Sequence, residues 1–413
     1  MFLGAPFAWA ANSWNGSDMV IDNFSTGSLG AKITAELSGD PPADITSLTL
    51  RGAAMGDVDF AFIRDNLSSI VTIDMSDVPI TTLPSSAFSN NLIYADGNLD
   101  NLQNVTLPAG LTSIGDGAFF LCQSLALTNL PDGVTSIGDD AFIYCQNLAL
   151  TNLPSGLISL GAFAFQGCTN LALTSLPPGL TSIGSSAFSF CTSLALTSLP
   201  SGLTSIEDHA FNGCTNLALT NLPAGLTSIE YLAFYECTNL EWLDLSSCNG
   251  LTSIDFYAFQ NCSSLSVVAM PPVLPATIHA DAFSGTAPVF LVPDTLAYSS
   301  WIPPAGTKVY ITDGTLAPTG TASIPYGGTI SFSCGNIAGA SYQWEKETSP
   351  GVWTPISGAT SRTYVKNGAL TSDSGVYRCV ITVSSTSLFK NPITLTVGPA
   401  YTVAFDSQGG SAV

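Results

Sequence analysis

The sequence predicts a mainly β fold with short helical or 3-10 turns, built around a solenoid of stacked coils. A unit of 23 residues starts at Leu107 and recurs at Leu130, Leu153, Leu176, Leu199 and Leu222. Such units stack on one another, because no single unit can bury its apolar edge alone. The alternation of apolar residues within a unit and the atypical units at both ends of the array indicate the same fold.

Three columns of residues keep the 23-residue spacing, which places like residues over like in neighbouring coils. The first column consists of Cys122, Cys145, Cys168, Cys191, Cys214 and Cys237. The second consists of Ile114, Ile137, Leu160, Ile183, Ile206 and Ile229. The third consists of Phe119, Phe142, Phe165, Phe188, Phe211 and Phe234.

Within one unit, local patterns predict the course of the chain. The alternation from Leu125 to Thr128 predicts a half-buried strand with both leucines inward. The Leu-Pro-x-Gly sequence that follows predicts a turn, because Pro fixes φ and Gly is free to take a positive φ. Leu111–Ile114 is a second short extended segment, and Ala118-Phe119 begins a helical or 3-10 turn that ends near Cys122.

After Cys237 the 23-residue spacing breaks, and residues 240–248 read LxxLxLxxC, the leucine-rich repeat strand pattern. The rhythm resumes at Leu251, and degenerate units lie at both ends of the array, as capping requires. The pattern LPxGLTSIGxxAFxxCxxL resembles the BspA-like leucine-rich repeats of bacterial and protist surface proteins, over residues 79–288. The resemblance implies a helix-plus-strand N-terminal cap upstream, a C-terminal cap at 289–311, and adhesion to host matrix proteins or other cells.

Residues 312–321 are rich in Gly, Pro and Thr and suit a linker. Residues 322–398 resemble an immunoglobulin-like β-sandwich, since Cys334, Trp344 and Cys379 occur in that order and Tyr377 lies two residues before the second cysteine. The resemblance implies a Cys334–Cys379 disulfide under Trp344 and a tyrosine corner at Tyr377. Such a bridge requires an oxidising compartment.

Both ends of the sequence carry further resemblances. Residues 1–11 look like the tail of a signal peptide, with Ala8-Trp9-Ala10 as the small-x-small cleavage pattern, and the alternative is a short apolar arm. Residues 12–78 form the N-terminal region and cap. Residues 399–413 resemble the start of a Listeria–Bacteroides (internalin B-type) repeat, which implies that further repeats lie beyond.

Composition excludes several functions. The chain has 9 Lys and Arg against 30 Asp and Glu, a net charge of −21, which argues against nucleic acid and anionic membrane surfaces as partners. No apolar run is long enough to insert into a membrane. Only His209 and His279 are present, and no GxSxG, HExxH, Walker A, GxGxxG or EF-hand motif occurs. We therefore expect no enzyme activity and no cofactor.

Potential metal or redox sites have simpler interpretations. The cysteine column, together with Cys248 and Cys262, predicts buried small apolar thiols, because paired CxxC spacing is absent. Ladder disulfides and a metal site are the alternatives. A variable column predicts a surface position for His209, and His279 has no evident partner. Asp116, Asp139, Asp140 and Asp208 suggest a calcium ladder, which Ala162 and Ser185 interrupt.

A ligand surface is predicted in the sixth and seventh coils, where aromatic and acidic residues replace small ones. Aromatic residues are favoured anchors in interfaces. The candidate partner-binding residues are Tyr231, Tyr235, Trp242, Asp244, Phe256 and Tyr257. The alternative is that they pack the seam toward the C-terminal cap.

These observations lead to a hypothesis of function. We expect an exported, non-catalytic, monomeric adhesion protein on the bacterial cell surface, which binds a host matrix protein, another cell surface or a glycan through the solenoid. The alternative is a targeting or scaffold module of a larger secreted enzyme. A hydrolase within these residues is disfavoured because the catalytic constellation is missing.

Overall fold

A computed structural model describes residues 13–14, 17–52, 54–89, 99–293, 308–312, 320–333, 341–383, 386–389 and 393–397. The predicted signal-peptide tail, residues 313–319 of the predicted linker, Cys334 and the predicted internalin-type repeat lie outside the described residues. The chain forms two compact units. The described residues up to Leu265 and residues 273–287 belong to the first, and residues 266–272 with the described residues from 288 onward belong to the second.

The first unit begins with a five-stranded sheet and two helices. Its strands, in chain order, are β1 (Ser13–Trp14), β2 (Asp18–Asp22), β3 (Ser47–Arg51), β4 (Thr72–Asp77) and β6 (Asn104–Thr106). Neighbours in this order pair in parallel, except that β1 pairs antiparallel with β2. The helices are α1 (Leu29–Leu37) and α2 (Asp57–Asn66), with a 3-10 turn at Pro42–Asp44.

A buried carboxylate joins the two helices. Asp59 on α2 accepts hydrogen bonds from the backbone N–H groups of Gly27 at 2.7 Å, Leu29 at 3.0 Å and Gly56 at 3.0 Å. Phe60 follows it and packs edge-on against Phe88, with ring centroids 5.4 Å apart. The second helix therefore covers the first coil with an apolar side chain that continues the phenylalanine column.

Each coil then contributes one two-residue strand. These strands are β5 (Thr82–Leu83), β7 (Ser113–Ile114), β8 (Ser136–Ile137), β9 (Ser159–Leu160), β10 (Ser182–Ile183), β11 (Ser205–Ile206), β12 (Ser228–Ile229), β14 (Ser253–Ile254) and β16 (Thr277–Ile278). Neighbouring strands pair in parallel with like residues in register, as in Ser113 with Ser136. They form two sheets, β5 to β10 and β11 to β16, so the ladder is interrupted between β10 and β11.

The phenylalanine column fills the core of the array. From Phe88 to Phe283 successive rings are stacked, with centroids 5.1 to 5.7 Å apart. The isoleucine and cysteine columns are buried beside it. The predicted solenoid of stacked coils is therefore confirmed. The structure is mainly β, with few helices.

The predicted strand at Leu125–Thr128 is wrong as a regular strand. The segment is irregular, because the backbone bonds that join it to its neighbours are widely spaced: Ala126 N–H donates to Gln103 O at 2.8 Å and Ala149 N–H to Leu127 O at 3.0 Å. The faces follow the alternation, with both leucines buried and Ala126 and Thr128 exposed. Regular strands do occur on this side of the array, at β6 and at β13 (Trp242–Asp244).

The segment from Gly117 to Cys122 is a run of turns that also links coils. Cys122 N–H donates to Phe119 O at 3.1 Å within the coil, and Phe119 N–H donates to Ala141 O of the next coil at 2.8 Å. Two positions per coil have a positive φ, and most of them are not glycine. The first such column is Ser86, Gly117, Asp140, Phe163, Ser186, His209, Leu232 and Tyr257, and the second is Leu121, Tyr144, Gly167, Phe190, Gly213, Glu236, Asn261 and Gly285.

The second unit contains β15 (Val267–Ala269), β17 (Val289–Pro293) and β18 (Lys308–Thr312), which pair in parallel. Beyond them lie the strands β19 (Gly320–Ile324), β20 (Ile330–Ser333), β21 (Ser341–Ser349), β22 (Val352–Pro355), β23 (Thr363–Lys366), β24 (Gly375–Val383), β25 (Thr386–Phe389) and β26 (Ile393–Val397), and a 3-10 turn at Thr371–Asp373. Six of them form one sheet, in the order β19-β26-β24-β21-β22 with β25 beside β24, and β20 pairs with β23.

Several side chains of this region are buried between its strands. Trp344 and Tyr377 are almost fully buried, and the Tyr377 hydroxyl donates to the backbone oxygen of Asp373. Cys379 is buried as a free thiol, and its predicted partner Cys334 is not described. The immunoglobulin-like sandwich and its disulfide therefore stay predictions.

Candidate interaction site on the repeat turns

The cysteine column has a specific structural partner. The thiol of Cys145 donates to the backbone oxygen of Phe119 in the preceding coil at 3.0 Å, and Cys168 does the same to Phe142 at 3.0 Å. The same bond, at 3.0 to 3.1 Å, is made by Cys122, Cys191, Cys214, Cys237 and Cys262. All of these cysteines are buried free thiols. They are thus satisfied donors.

Burial also suppresses thiol reactivity. It raises the pKa of Cys262 to about 12 and that of Cys248 to about 11, and raises the pKa values of the fully buried thiols still further. The thiolate is the nucleophile and metal ligand, so protonated buried thiols are inert. Among the residues that the structure describes, no group of three His, Cys, Asp or Glu side chains could hold a metal ion.

The aspartates of the suggested calcium ladder bind backbone of the next coil. Asp116 Oδ1 accepts from Asp139 N–H at 3.0 Å, and Asp139 Oδ1 accepts from Ala162 N–H at 2.7 Å. Asp208 Oδ1 accepts from Tyr231 N–H at 3.1 Å. Burial raises the pKa of Asp140, and the carboxylates of Asp139 and Asp116 raise it further. These carboxylates therefore serve the stacking of the coils.

Three of the predicted partner-binding residues lie together on the turns. Tyr231 is stacked on Phe256 with centroids 6.2 Å apart, and its ring lies 6.5 Å from that of Tyr257. Phe256 and Tyr257 meet edge-on at 3.7 Å. Tyr231 is 38% exposed and the other two rings are half-buried. These rings form one partly exposed aromatic group on the turns, and single exposed rings, Tyr144, Phe163 and Phe190, lie on earlier coils.

Both histidines of the chain border this surface. His209 contacts Tyr231 edge-on at 5.2 Å, and His279 contacts Phe256 edge-on at 4.2 Å. We call the five residues His209, Tyr231, Phe256, Tyr257 and His279 the turn cluster. Sequence reasoning missed the two histidines. The repeat register nevertheless places His209 in the same column as Leu232, one coil later, and Tyr257, two coils later.

The structure also corrects the expectations for each histidine. His209 is half-buried, and its Nδ1 lies 3.1 Å from the Asn212 side-chain nitrogen. His279 has partners, since Asp281 N–H donates to its Nδ1 at 3.2 Å and the Asp281 carboxylate lies 3.9 Å away. The stacking of neighbouring coils brings these residues to the aromatic rings.

The remaining predicted residues belong to other parts of the coils. Trp242 and Asp244 lie on β13, where Asp244 N–H donates to Thr220 O at 2.9 Å and Asp244 Oδ1 accepts from Ser246 N–H. Tyr235 is half-buried, and Asn261 Nδ2 donates to its hydroxyl at 3.4 Å. A hydrogen bond with Glu236 raises the pKa of Tyr235. The predicted group of six therefore divides, and its aromatic ring contacts centre on Tyr231 and Phe256.

Carboxylates surround the turn cluster. Glu207, Glu230 and Asp255 occupy equivalent positions in successive coils. Glu230 immediately precedes Tyr231, and Asp255 immediately precedes Phe256. Ser205 Oγ donates to Glu207 Oε1 at 2.6 Å, and Asp255 Oδ1 accepts from Phe256 N–H at 2.6 Å. Asp208 is exposed and Glu207, Glu230, Asp255 and Asp281 are half-buried. The surface thus combines aromatic rings with negative charge.

Comparison with known families identifies the class of the array. A family described as "BspA type Leucine rich repeat region (6 copies)" matches residues 93–198 and 191–291. Residues 93–291 are therefore a BspA-type leucine-rich repeat region, and such regions generally bind proteins. Residues 313–399 match a family described as "Domain of unknown function (DUF8696)". Neither description names a catalytic activity.

Several solved structures are similar to this chain. A leucine-rich repeat protein from Bacteroides ovatus ATCC 8483 is 21% identical, with a TM-score of 0.45, over 62% of this chain and 76% of that one. A leucine-rich repeat protein of T. pallidum is 28% identical, with a TM-score of 0.32, over 44% and 78%. A leucine rich cell surface protein from Faecalibacterium prausnitzii A2-165 is 24% identical, with a TM-score of 0.32, over 59% and 78%. No curated protein matches the chain.

Proposed function

We propose that this chain is an exported, non-catalytic bacterial surface protein whose repeat region binds a protein or glycan partner through the turn cluster. The observation that carries the proposal is the cluster of Tyr231, Phe256 and Tyr257 on the turns, where three aromatic rings contact one another. Aromatic residues are enriched at the centres of interfaces, where they bury a large area at low entropic cost. The rigid coils on both sides hold the rings in fixed positions before a partner arrives, which lowers the cost of binding.

The thiols and aspartates of the columns already have hydrogen-bond partners within the array, which supports a binding role over catalysis. Thiols donate to phenylalanine carbonyls, and the aspartate ladder accepts from backbone N–H groups. These groups already contribute to the stability of the stack. Outward-facing residues are therefore the ones available to a partner.

Export is supported by the resemblance of residues 1–11 to a signal-peptide tail and by that of the repeats to BspA-like surface proteins. In the described part of the chain, no helix has both the length and the apolar character to span a bilayer. We further propose that residues 322–398 are an immunoglobulin-like spacer. The buried Trp344 and the hydrogen bond from the Tyr377 hydroxyl to Asp373 O support this, since a tyrosine corner makes such a bond.

The test is a binding panel with the full chain. Purified host matrix proteins and cell-wall glycans are immobilised, and binding is measured by biolayer interferometry. We expect at least one of them to bind, and we expect Tyr231→Ala to weaken that binding about tenfold, as loss of an interface anchor does. Tyr144→Ala is the matched control, because Tyr144 is equally exposed, at 38%, on a turn of another coil.

A second variant separates the two parts of the predicted site. Trp242→Ala tests whether β13 contributes, since Trp242 lies outside the turn cluster. Failure of the whole panel to bind, or equal binding by the Tyr231 and Tyr144 variants, would overturn the proposed role of the turn cluster. A thermal melt of each variant checks that the array is folded.

A further inference from the structure

The repeats contain no lysine or arginine, and their two histidines are counted as neutral at pH 7. In the sequence, no lysine or arginine occurs between Arg64 and Lys308. Carboxylates on the repeats are therefore not neutralised by cations of the repeats themselves. Because charged groups on one surface create a summed potential, this region favours a cationic partner.

One group of carboxylates lies in the coils of the turn cluster, and another, Asp116, Asp132, Asp139 and Asp140, lies in the first coils. No Asp or Glu occurs between Asp140 and Glu207, so the middle coils are uncharged. Charge then returns at residues 207–281, as Glu207, Asp208, Glu230, Glu236, Glu241, Asp244, Asp255 and Asp281. The aromatic residues of the cluster lie in these same coils. The two features coincide in one stretch of an array whose units are otherwise nearly identical.

The local geometry fixes two carboxylates at the backbone of turn-cluster residues. Asp208 Oδ1 accepts from the backbone N–H of Tyr231 at 3.1 Å, and Asp255 Oδ1 accepts from that of Phe256 at 2.6 Å, so each carboxylate is anchored to a residue of the cluster. A cation within about 6 Å of an aromatic centroid is attracted by the ring quadrupole. Nearby carboxylates add to that attraction, and they are fixed in place before binding.

We propose that the turn cluster and its carboxylates bind a protein segment that presents lysine or arginine side chains. The cation lies over the face of Tyr231 or Tyr257, and Glu230, Asp208 and Asp255 compensate its charge. This proposal rests on the proposed function and names the chemistry of its partner. Glycans, which offer no such cation, would not use the surface in this way.

The test uses the full chain and a defined probe. A synthetic peptide with lysine and arginine alternating with serine is immobilised, beside the same peptide with acetylated lysine and with citrulline in place of arginine. We expect binding to the basic peptide, at least tenfold weaker binding to the neutral peptide, and further weakening as salt rises.

Matched substitutions locate the site. Tyr231→Ala and Glu230→Gln should each weaken binding of the basic peptide about fivefold, which corresponds to the loss of about 1 kcal/mol. Tyr144→Ala and Asp139→Asn are the controls. The first removes a tyrosine and the second a charge, both in coils far from the turn cluster, and each should change binding less than twofold. Tyr231→Leu keeps the side-chain bulk and separates loss of the ring from loss of folding.

Two results would overturn this proposal. The first is absence of binding to the basic peptide at low salt. The second is equal weakening by the site and control variants, which would indicate a diffuse effect of the net charge of −21. If a matrix protein or glycan in the panel still binds in a Tyr231-dependent way, the proposed function stands and only the partner chemistry is wrong.

Discussion

Cysteine suits its column because it is small, apolar in packing and able to donate one weak hydrogen bond. Alanine at Cys168 would remove the thiol donor to the Phe142 carbonyl, which would keep only its bond from Cys145 N–H. Serine would have to desolvate a more polar hydroxyl. Spacing in the sequence predicts the buried column. It does not reveal the donor role, because the partner carbonyl belongs to the preceding coil.

The raised thiol pKa values predict that stability falls in alkali. A thiol whose folded-state pKa lies above its unfolded value stabilises the fold fully below pH about 9, and this contribution is lost as pH rises further. Each such thiol should lower the free energy of unfolding by about 1.4 kcal/mol per pH unit above 9. Denaturant melts at pH 8, 9 and 10 measure the slope. Cys168→Ala should reduce this slope by the contribution of one thiol. An unchanged slope would contradict the claim that burial keeps the Cys168 thiol protonated.

Glycine in the second positive-φ column makes room for the ring beside it. A Cβ added at Gly213, where φ is +70°, would lie 2.7 Å from Phe190 Cδ1. We expect Gly213→Ala to cost about 2 to 3 kcal/mol, from left-handed backbone and overpacking together. The double variant with Phe190→Ala should recover the packing part, about 1 to 2 kcal/mol, in chemical denaturation. Gly156→Ala, with no side-chain atom closer than 3.9 Å, is the control, and an equal cost there would refute the explanation.

At the scale of the elements, the interruption between β10 and β11 coincides with a change of residue type. The position after the isoleucine column, where one coil has Leu160, is Gly115, Gly138, Gly161 or Gly184 in the first coils, and Glu207, Glu230, Asp255 or His279 in the later ones. A Cβ at Gly115 would lie 2.7 Å from Ser85 N, and one at Gly184 would lie 2.5 Å from Ala162 N. Glycine therefore permits close stacking in the first coils, and the interruption falls at the first side chain in this column, Glu207.

Hydrogen exchange measures this interruption. Gly184 N–H donates to Leu160 O at 3.0 Å and Glu230 N–H donates to Ile206 O at 2.9 Å, whereas β10 and β11 belong to different sheets. We expect the Glu207 amide to exchange at least tenfold faster than the Gly184 and Glu230 amides, because an amide outside the ladder opens at lower cost. Amide exchange followed by NMR or mass spectrometry gives the rates. Equal protection at all three positions would show a continuous ladder.

At the scale of the whole molecule, the period of the sequence predicts the stacked coils and the inward columns, because both follow from repetition and apolar patterning. The same pattern fails at Leu125–Thr128, since a strand depends on backbone bonds between coils that alternation does not specify. The sequence pattern also groups the residues of the candidate site incorrectly. Trp242 and Tyr231 are near in sequence but lie on different segments of the coil, while His209 and His279 meet the rings only through stacking.

Deletion of one coil tests the stacking of 23-residue units most directly. Removing residues 176–198 takes out one complete unit and leaves every column in register, whereas removing residues 176–186 shifts all later columns. We expect the first deletion to keep a cooperative thermal transition, near that of the full chain, and the second to abolish it. Loss of the cooperative transition in both deletions alike would contradict the account.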